Sequence, residues 1–367
     1  MLKVLISNYE PDSKFFFIML FNNIRITGIS AAVPKTVVNN FKDHDFVSIK
    51  KRADIVKLTG VEEYRKAADG QTTADLCQVA AENLFKELDI DPVSIDGVIF
   101  ITMTPDYVAP STACVLQDKL GLSTTTVAFD VNLGCSGYVY GLYIVCSLIQ
   151  GGGLKKVLLL AGDTQTKLCH REDQNVVFLL GDAGTATIVE TCVGAPEIKM
   201  RFNTDGSRKD SLIIPAGGFR LPSDSGTKEI MEKVDSGIRS AEHLYLDGMG
   251  VFNFSITDVV KTIKDFTEEE NLVANSIDYL VLHQANKFMI DRIAKKLSFP
   301  PEKVLYSLLK YGNTSSASIP LTLLCNFLKM KGKRSQNCLL SGFGIGLSWG
   351  VIYISLENIC FPKLSEV

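Results

Sequence analysis

The residue best suited to covalent chemistry is Cys135, in the segment Asn132–Gly137 (NLGCSG). It follows an apolar strand-like run, Val127–Val131, and precedes an apolar helix-like run, Ser136–Gln150. A tight turn between a strand and a helix exposes the side chain at its apex, and flanking glycines let a substrate approach the backbone. The partial positive charge at a helix N-terminus favours a thiolate, so we expect a lowered pKa for Cys135. Free cysteines are usually small buried hydrophobes, but this context favours a nucleophile.

Three further motifs lie in the second half of the chain. His283 (VLHQAN) falls between a predicted strand and a predicted helix, where α/β proteins place their sites, although a lone histidine is more often structural. Asn313 (YGNTSSAS) lies in a polar turn before an apolar helix, where an ordinary N-cap is the alternative interpretation. The glycine-rich segment Ser341–Gly350 (SGFGIGLSWG) precedes a strand-like run and not a helix, which favours a turn between strands over a dinucleotide loop.

Composition excludes several classes of protein. The chain has 367 residues, of which 46% are hydrophobic and 22% charged, as expected for a globular protein with more than one folding unit. A net charge of −3 excludes a strongly basic nucleic-acid binder. The nine cysteines include no C-x-x-C pair, and there are only four histidines. We therefore predict a reducing, cytoplasmic setting, with neither a disulfide framework nor a metal site.

Residues 1–22 are predicted to be an N-terminal extension that need not be native. The first core strand is Ile24–Ile29, and Met19 offers an alternative start. The apolar run Phe15–Phe21 is far shorter than the roughly 20 residues that span a bilayer, and no small-residue cleavage site follows it closely. The run Val139–Ile149 is also too short. We therefore predict neither a signal peptide nor a membrane span.

Strand-like and helix-like segments alternate along the chain, as in an α/β protein. The segments IDGVIFIT (95–102) and IDYLVLHQ (277–284) resemble each other, and each ends in a polar loop. This similarity favours two related halves, which we predict to be 23–195, with the cysteine nucleophile, and 196–367, with His283 and Asn313.

Taken together, these motifs resemble those of the thiolase-fold condensing enzymes, in particular β-ketoacyl-acyl-carrier-protein synthase III. The resemblance runs from about Ile24 to Leu356 and rests on the order and spacing of ITGISAAVP, TGVEEYR, PSTACVLQ, NLGCSG, LLGDAGTA, HQAN, GNTSSASIP and FGIGLSWG. It implies a five-layered αβαβα fold with two pseudo-symmetric halves, and a homodimer. It also implies that CoA or acyl-carrier-protein thioesters are the substrates and that no metal or redox cofactor is needed.

The resemblance implies a catalytic triad of Cys135, His283 and Asn313. A thioester primer transfers its acyl group to Cys135, while the backbone N–H groups of Cys135 and Ile345 stabilise the oxyanion. A malonyl thioester then loses carbon dioxide, with His283 and Asn313 donating hydrogen bonds to its carbonyl oxygen. Phe343 would lie near the departing carboxylate, where an apolar surface disfavours its charge. Because asparagine cannot act as a base, this triad suits decarboxylation and is poorly suited to deprotonating an acetyl thioester.

The sequence departs from the family pattern at three positions where arginine is common, which are occupied here by Glu62, Gln174 and Phe288. Phe288 is the second residue after the HQAN motif and follows Lys287. Each change removes positive charge that would hold CoA or an acidic carrier protein. We therefore predict that the primer is not short-chain acyl-CoA in the usual mode, and that an acyl-carrier-protein primer or a specialised pathway is used. Ala109, where the family often has a bulky side chain, predicts a pocket with room for a longer or branched acyl group.

A predicted basic helix offers a site for the acidic acyl carrier protein, with Lys287, Arg292, Lys295 and Lys296 as its contacts. An ordinary solvated helix face is the alternative. Two other functions stay open. One is a related acyltransferase that moves an acyl group from the cysteine to an alcohol or amine, and the other is a non-catalytic partner subunit that retains only the fold.

Overall fold

The computed structural model describes residues 17–232, 237–273, 276–328 and 335–367. The strands of this part of the chain are β1 Met19–Phe21, β2 Ile24–Val33, β3 Val37–Asn39, β4 Glu63–Arg65, β5 Gly97–Ile101, β6 Val127–Val131, β7 Lys156–Asp163, β8 Ala183–Thr191, β9 Ile198–Thr204, β10 Leu212–Ile213, β11 Met231–Glu232, β12 Ile238–Arg239, β13 Tyr245–Leu246, β14 Tyr279–Leu282, β15 Ser335–Gly344, β16 Ser348–Glu357 and β17 Ser365–Glu366. Its helices are α1 Ile49–Thr59, α2 Thr73–Leu88, α3 Thr112–Lys119, α4 Gly137–Gly152, α5 Gly248–Phe254, α6 Val260–Glu269, α7 Lys287–Lys296, α8 Leu308–Tyr311 and α9 Ser318–Phe327.

Two mixed sheets form the framework. The larger has the order β17-β2-β8-β7-β5-β6 and the smaller the order β1-β9-β16-β15-β14. The order β2-β8-β7-β5 of the first sheet recurs as β9-β16-β15-β14 in the second, with parallel pairing of β5 to β7 and of β14 to β15. The two similar segments of the sequence, IDGVIFIT and IDYLVLHQ, are thus strands in equivalent positions. This confirms two pseudo-symmetric halves.

Helices α4 and α9 lie between the two sheets. Helix α4 packs on β5 and β7 on one side and on β15 and β16 on the other, while α9 packs on β2 and β14. Buried apolar side chains from both sheets and both helices, such as Ile101, Leu142, Ile319 and Leu340, join in one core. Helices α2 and α3 cover the outer face of the first sheet, and α6 and α7 cover that of the second. The architecture is therefore the five-layered αβαβα arrangement expected from the resemblance.

The predicted N-terminal extension, 1–22, falls only partly within this structure, because residues 1–16 lie outside the described residues. Met19–Phe21 pairs with β9 at the edge of the second sheet, and Phe21 is buried there. Residues 19–21 therefore belong to the fold, although the sequence places them in an extension. The proposed division at 195/196 stays a prediction.

One prediction about the strands is wrong. The near-continuous apolar sequence of Val127–Val131 predicts a strand covered on both faces, as in the interior of a parallel sheet. Strand β6 instead lies at the edge of the first sheet, where β5 is its one partner among the described residues, and Val127 is 41% exposed. An apolar sequence thus coincides with an open edge in the single chain.

The close contact between β8 and α2 generates a stability prediction. A Cβ atom on Gly184 would lie 2.6 Å from the backbone nitrogen of Cys77 and 2.7 Å from the carbonyl carbon of Leu76, so Gly184→Ala must displace the helix. We expect it to lower the free energy of unfolding by about 1–3 kcal/mol, measured by urea denaturation followed by circular dichroism. The matched control is Gly151→Ala in α4, where nothing lies within 4 Å and no loss is expected. Equal stability of the two variants would contradict this packing.

Candidate active site

Cys135 lies between the end of β6 and the start of α4, and it is 9% exposed. The Gly137 amide donates to the Gly134 carbonyl (2.7 Å), which closes the turn that carries the cysteine. The turn between β15 and β16 passes directly over the thiol. A Cβ atom on Gly344 would lie 2.5 Å from the Cys135 Cβ and 2.9 Å from its Sγ, and Gly344 has a φ of +154°. Only glycine fits there, so the second half of the chain closes tightly on the nucleophile of the first.

The ionisation of Cys135 differs from the sequence-based expectation. Burial raises the pKa of the Cys135 thiol to about 11, whereas the helix N-terminus alone predicts a lowered pKa. The backbone N–H of Ile345 and the hydroxyl of Ser315 oppose this rise, while the charge of Asp163 adds to it. Desolvation of the thiolate outweighs the local donors. In the free protein at pH 7, Cys135 is therefore a thiol that must give up a proton when it reacts.

His283 follows β14 directly, and its amide donates to the Ser341 carbonyl (2.8 Å) as an extension of the β14–β15 pairing. Its Nδ1 is hydrogen-bonded to the Ser318 hydroxyl (2.8 Å) at the start of α9. The ring is 2% exposed, and burial lowers its pKa to about 3. The Ser315 carbonyl only partly opposes this shift. His283 is therefore a neutral imidazole at pH 7.

Asn313 is not the N-cap of α9, since four residues separate it from the start of that helix at Ser318. Its backbone is fixed by hydrogen bonds from its amide to the Leu179 carbonyl (2.7 Å) and from the Gly181 amide to its own carbonyl (2.9 Å). Its side-chain Oδ1 accepts from the Ser315 amide (2.9 Å). Because the oxygen is occupied, the side-chain NH₂ is the group left to donate into the site.

The glycine-rich segment is a turn between β15 and β16, as the sequence predicts. Phe343 is 1% exposed and meets the His283 ring edge to face, with ring centroids 5.6 Å apart. The backbone N–H of Ile345 points to the sulfur of Cys135 and lowers the pKa of its thiol. The turn therefore supplies an apolar wall beside the imidazole and an amide donor at the nucleophile.

All three predicted catalytic residues border one cavity of about 630 Å³, within the usual size range of small-molecule sites. The other sequence-predicted residues in its wall are Phe343 and Ile345. The wall is completed mostly by apolar side chains, which include Met103, Val176, Phe178, Leu179, Leu180, Leu212, Leu244, Leu246, Val251 and Phe252. The described residues of this wall include no Lys, Arg, Asp or Glu, although they do include the polar Gln165, Gln174 and Asn175.

The mouth of the cavity is apolar as well. Leu58, Met249 and Phe288 border it and are 58%, 69% and 37% exposed. Two of the three departures from the family pattern, Gln174 and Phe288, line this cavity, whereas Glu62 does not. Phe288 stacks on Phe252 with ring centroids 5.4 Å apart. Among the described residues that line the mouth, none is a cation that could bind a nucleotide phosphate.

The four predicted carrier-protein residues are all exposed on α7, namely Lys287, Arg292, Lys295 and Lys296. This helix begins at the cavity, since Asn286, Phe288 and Met289 line it. Lys287 is ion-paired with Asp291 (2.6 Å), and Arg292 lies over the Phe288 ring (5.0 Å).

Ala109, by contrast, lies on the surface and not in the cavity wall. The prediction that it lines the acyl pocket is therefore wrong for the single chain. The same loop between β5 and α3 also carries Met103, which does line the cavity.

Sequence reasoning missed the polar residues that hold the site together. Asp163, at the end of β7, is fully buried and accepts hydrogen bonds from the Met103 amide (2.7 Å), the Thr102 hydroxyl (3.1 Å) and the Ser316 hydroxyl (2.9 Å). Gln165 donates to the Asn313 carbonyl. A charged residue at the carboxyl end of an apolar strand, AGD at 161–163, was the signal available for Asp163.

Within the described residues, no group of three His, Cys, Asp or Glu side chains is arranged to hold a metal ion. The helices described also include none with the length and apolar character that crossing a membrane requires. That the reaction needs no metal or redox cofactor stays a prediction.

Two family models match the chain. The model described as 3-oxoacyl-[acyl-carrier-protein] synthase III matches residues 129–206, and its C-terminal counterpart matches residues 267–356. The first contains Cys135, and the second contains His283 and Asn313.

Similar proteins match over nearly their whole length. The β-ketoacyl-[acyl-carrier-protein] synthase III of Clostridium perfringens is 34% identical over 335 residues, covering 91% of this chain and 99% of its own. That of Clostridioides difficile is 35% identical over 327 residues, covering 89% and 96%. The crystal structure of a 3-oxoacyl-(acyl-carrier protein) synthase from Burkholderia xenovorans superposes with a TM-score of 0.90 at 35% identity, covering 96% of this chain and 99% of that one. With this fold, and with Cys135, His283 and Asn313 around one cavity, the chain belongs to the β-ketoacyl-[acyl-carrier-protein] synthase III family of thiolase-fold condensing enzymes.

Proposed function

We propose that this condensing enzyme joins an acyl primer, held as a thioester on Cys135, to malonyl-acyl-carrier protein with loss of carbon dioxide. The observation that carries the proposal is the convergence of Cys135, His283 and Asn313 on one apolar cavity. The hydrogen bonds at His283 Nδ1 and at Asn313 Oδ1 leave His283 Nε2 and the Asn313 NH₂ for the substrate. The product is a 3-oxoacyl-acyl-carrier protein, as used in the synthesis of fatty acids or related acyl compounds.

In the first half-reaction, the Cys135 sulfur attacks the thioester carbonyl of the primer, and the primer's own thiol leaves. The oxygen becomes negative during the attack and needs donors already in place. The backbone N–H groups of Ile345 and Cys135 are proposed for this role. The N–H of Ile345 already points to the sulfur, so it lies beside the carbonyl that the sulfur will attack.

In the second half-reaction, the malonyl thioester loses carbon dioxide, and electrons flow into its thioester carbonyl to form an enolate. Two neutral donors suit this step, since they stabilise the enolate oxygen without a proton transfer. The low pKa of His283 keeps its ring neutral, and a Ser318 hydroxyl that donates to Nδ1 places the ring proton on Nε2. The Asn313 NH₂ is the second donor. The enolate carbon then attacks the acyl-Cys135 carbonyl, and the cysteine leaves.

The carboxylate that is lost is proposed to lie against Phe343, which packs on the His283 ring. A fully buried phenyl ring offers no hydrogen bond or counter-charge to a carboxylate, so it disfavours the charged ground state relative to neutral carbon dioxide. Release of carbon dioxide distinguishes this reaction from acyl transfer to an alcohol or amine, which needs no malonyl group.

The primer is proposed to arrive on a carrier protein and not on CoA. No charged side chain among the described residues lines the cavity or its mouth, where Leu58, Met249 and Phe288 are exposed. The cations of α7 lie outside the cavity wall, exposed on the helix that begins at the mouth, where they can attract an acidic protein surface.

The working unit is proposed to be a homodimer joined at the edge of the first sheet. Strand β6 is mostly apolar in sequence and half-exposed, and no strand of the described part of the chain pairs with its outer side. Such an edge is a template for pairing, and a second copy related by a two-fold axis offers the same strand in return. All nine cysteines are free, so we place the reaction in the reducing environment of the cytoplasm.

The function is tested by mass spectrometry and by carbon dioxide release. Incubation with a panel of acyl-CoA and acyl-carrier-protein thioesters is expected to add an acyl group to Cys135, and Cys135→Ser is expected to lose this adduct. His283→Ala and Asn313→Ala are each expected to keep the adduct and to release carbon dioxide from malonyl-acyl-carrier protein roughly 100-fold more slowly, since each removes an enolate donor. An acylated wild-type protein that passes its acyl group to an alcohol or amine without releasing carbon dioxide would contradict the proposal.

The choice of primer carrier is tested at the mouth of the cavity. Phe288→Arg introduces a cation where the family often has one, and we expect it to lower the KM for acyl-CoA about ten-fold, or about 1.4 kcal/mol, with little change in kcat. Phe288→Met is the neutral control and is expected to leave the KM for acyl-CoA high. If the wild-type protein already uses acyl-CoA with a micromolar KM, the proposal of a carrier-bound primer is wrong.

The dimer is tested by sedimentation velocity. Val127→Lys places a charge on the open edge of β6, which the proposed pairing would remove from water, so we expect monomers. The control, Val193→Lys, adds the same charge at a residue that is 94% exposed and away from the edge, and it should leave the dimer intact. A wild-type protein that sediments as a monomer at micromolar concentration would refute this interface.

A further inference from the structure

One buried amide of the cavity wall has a hydrogen-bonding group that the protein does not use. Gln165 lies two residues after the end of β7 and is 2% exposed. It borders the cavity that holds Cys135, His283 and Asn313. Its side-chain Nε2 donates to the carbonyl of Asn313 and to that of Gly181 (3.3 Å). Both N–H groups of the amide are therefore occupied, and the oxygen Oε1 is the group left over.

These two hydrogen bonds fix which way the amide faces. The reversed amide would set Oε1 against two carbonyl oxygens, and all three atoms are acceptors. In the orientation observed, no donor among the described residues is paired with Oε1. This oxygen is also not among the unpartnered polar atoms that the protein seals from solvent. Because Gln165 is buried except where it borders the cavity, the open space that Oε1 meets is the cavity itself.

The segment that Gln165 binds continues into apolar wall. Leu179 and Leu180, which directly precede Gly181, both line the cavity. An apolar acyl chain that covered Oε1 would displace the water that can hydrogen-bond this oxygen in an empty cavity, and it would offer no donor in return. A buried acceptor left unpaired is unfavourable, whereas an acyl chain with a donor at that point gains a hydrogen bond. The cavity therefore favours a substrate that carries a donor group.

The Gln165 amide also lies next to the reacting centre. It binds the backbone of Asn313, whose side-chain NH₂ is proposed to bind the thioester oxygen. The exposed residues of the mouth belong to other elements, since Leu58, Met249 and Phe288 lie on α1, α5 and α7. A donor that meets Oε1 is therefore one that the substrate carries close to its thioester carbonyl, within the first carbons of the acyl chain.

We propose that the primer of this enzyme carries a hydroxyl group on C2 or C3 of its acyl chain, and that this hydroxyl donates a hydrogen bond to Gln165 Oε1. Gln165 is then a specificity residue, which touches the primer and takes no part in making or breaking bonds. The other donor of a thioester is the amide N–H of its pantetheine arm, but the primer's arm leaves with its thiol, whereas the hydroxyl stays in the acyl-Cys135 intermediate. The inference rests on the proposed function, which it deepens by naming the class of primer.

The test is the rate at which Cys135 of the full-length protein is acylated, followed by intact mass. The acyl donors are the octanoyl, 2-hydroxyoctanoyl and 3-hydroxyoctanoyl thioesters of N-acetylcysteamine, the last two as racemates. We expect at least one hydroxylated thioester to acylate the wild-type protein about 10- to 100-fold faster than octanoyl, because the unsubstituted chain leaves Oε1 unpaired. Gln165→Met has a side chain of similar length without the amide, and we expect it to abolish this preference.

The ratio of the hydroxyacyl rate to the octanoyl rate separates specificity from structure. Gln165→Met also removes a hydrogen bond to the Asn313 backbone, and a general disturbance of the site would slow both thioesters alike and leave their ratio unchanged. The matched control is Gln174→Met, the same change at a half-buried glutamine of the same cavity wall, and it is expected to keep the wild-type ratio. Loss of the preference in Gln174→Met alone would assign the hydroxyl to Gln174 and overturn the inference.

The remaining outcomes distinguish this inference from the proposed function. A wild-type protein that reacts with octanoyl as fast as with both hydroxylated thioesters overturns the inference while the function stands, and this measurement needs no variant to fold. Gln165→Met that slows every N-acetylcysteamine thioester equally, but not the octanoyl thioester of ethanethiol, would assign Oε1 to the N–H of the substrate arm and overturn the hydroxyl assignment. If no thioester acylates the wild-type protein, the proposed function is wrong and this inference falls with it.

Discussion

The hydrogen bonds to the Asp163 carboxylate hold the two halves of this protein together at their common site. The central parallel strands of both halves end at the same site. The first half contributes Cys135, and the second contributes His283 and Asn313. Asp163 lies at the end of β7, accepts from residues after β5, and accepts again from Ser316 in the turn before α9. A buried carboxylate without such donors would be costly, so its presence requires both halves to be in register.

Desolvation is the second constraint that acts on the whole site. It raises the pKa of Cys135, lowers that of His283 and raises that of Asp163. The three shifts have one main cause, since burial removes each group from most of its water and favours the neutral form. A neutral thiol, a neutral imidazole and a carboxylate close to neutrality suit a reaction in which charge should develop only on the substrate.

The cavity and the surface around its mouth are suited to recognise different parts of a substrate. Apolar side chains line the space from Cys135 to the surface, and the described lining includes no charged residue. The basic residues of α7 lie outside, on the helix that begins at the mouth. Apolar contact can hold an acyl chain and a pantetheine arm, whereas charge at a distance can attract a carrier protein without entering the cavity. Both halves of the chain contribute the apolar lining, and α7 carries Phe288 of that lining together with the basic residues outside it.

The sequence by itself determined the elements and the reactive residues. The apolar segments at 95–102 and 277–284 predict β5 and β14 closely. The order of the motifs predicts the fold, and through the family resemblance it predicts that Cys135, His283 and Asn313 meet at one site. The sequence could not decide the ionisation of Cys135. The effect of a helix N-terminus on the thiol pKa can be read from the local sequence, but desolvation depends on which residues of the other half pack over the sulfur. Nor could it locate Ala109 on the surface or β6 at an open edge, since exposure is a property of neighbours. The Asp163 contacts join it to residues 60, 61 and 153 positions away in the sequence, and only the packed tertiary structure decides which distant donors meet a buried carboxylate.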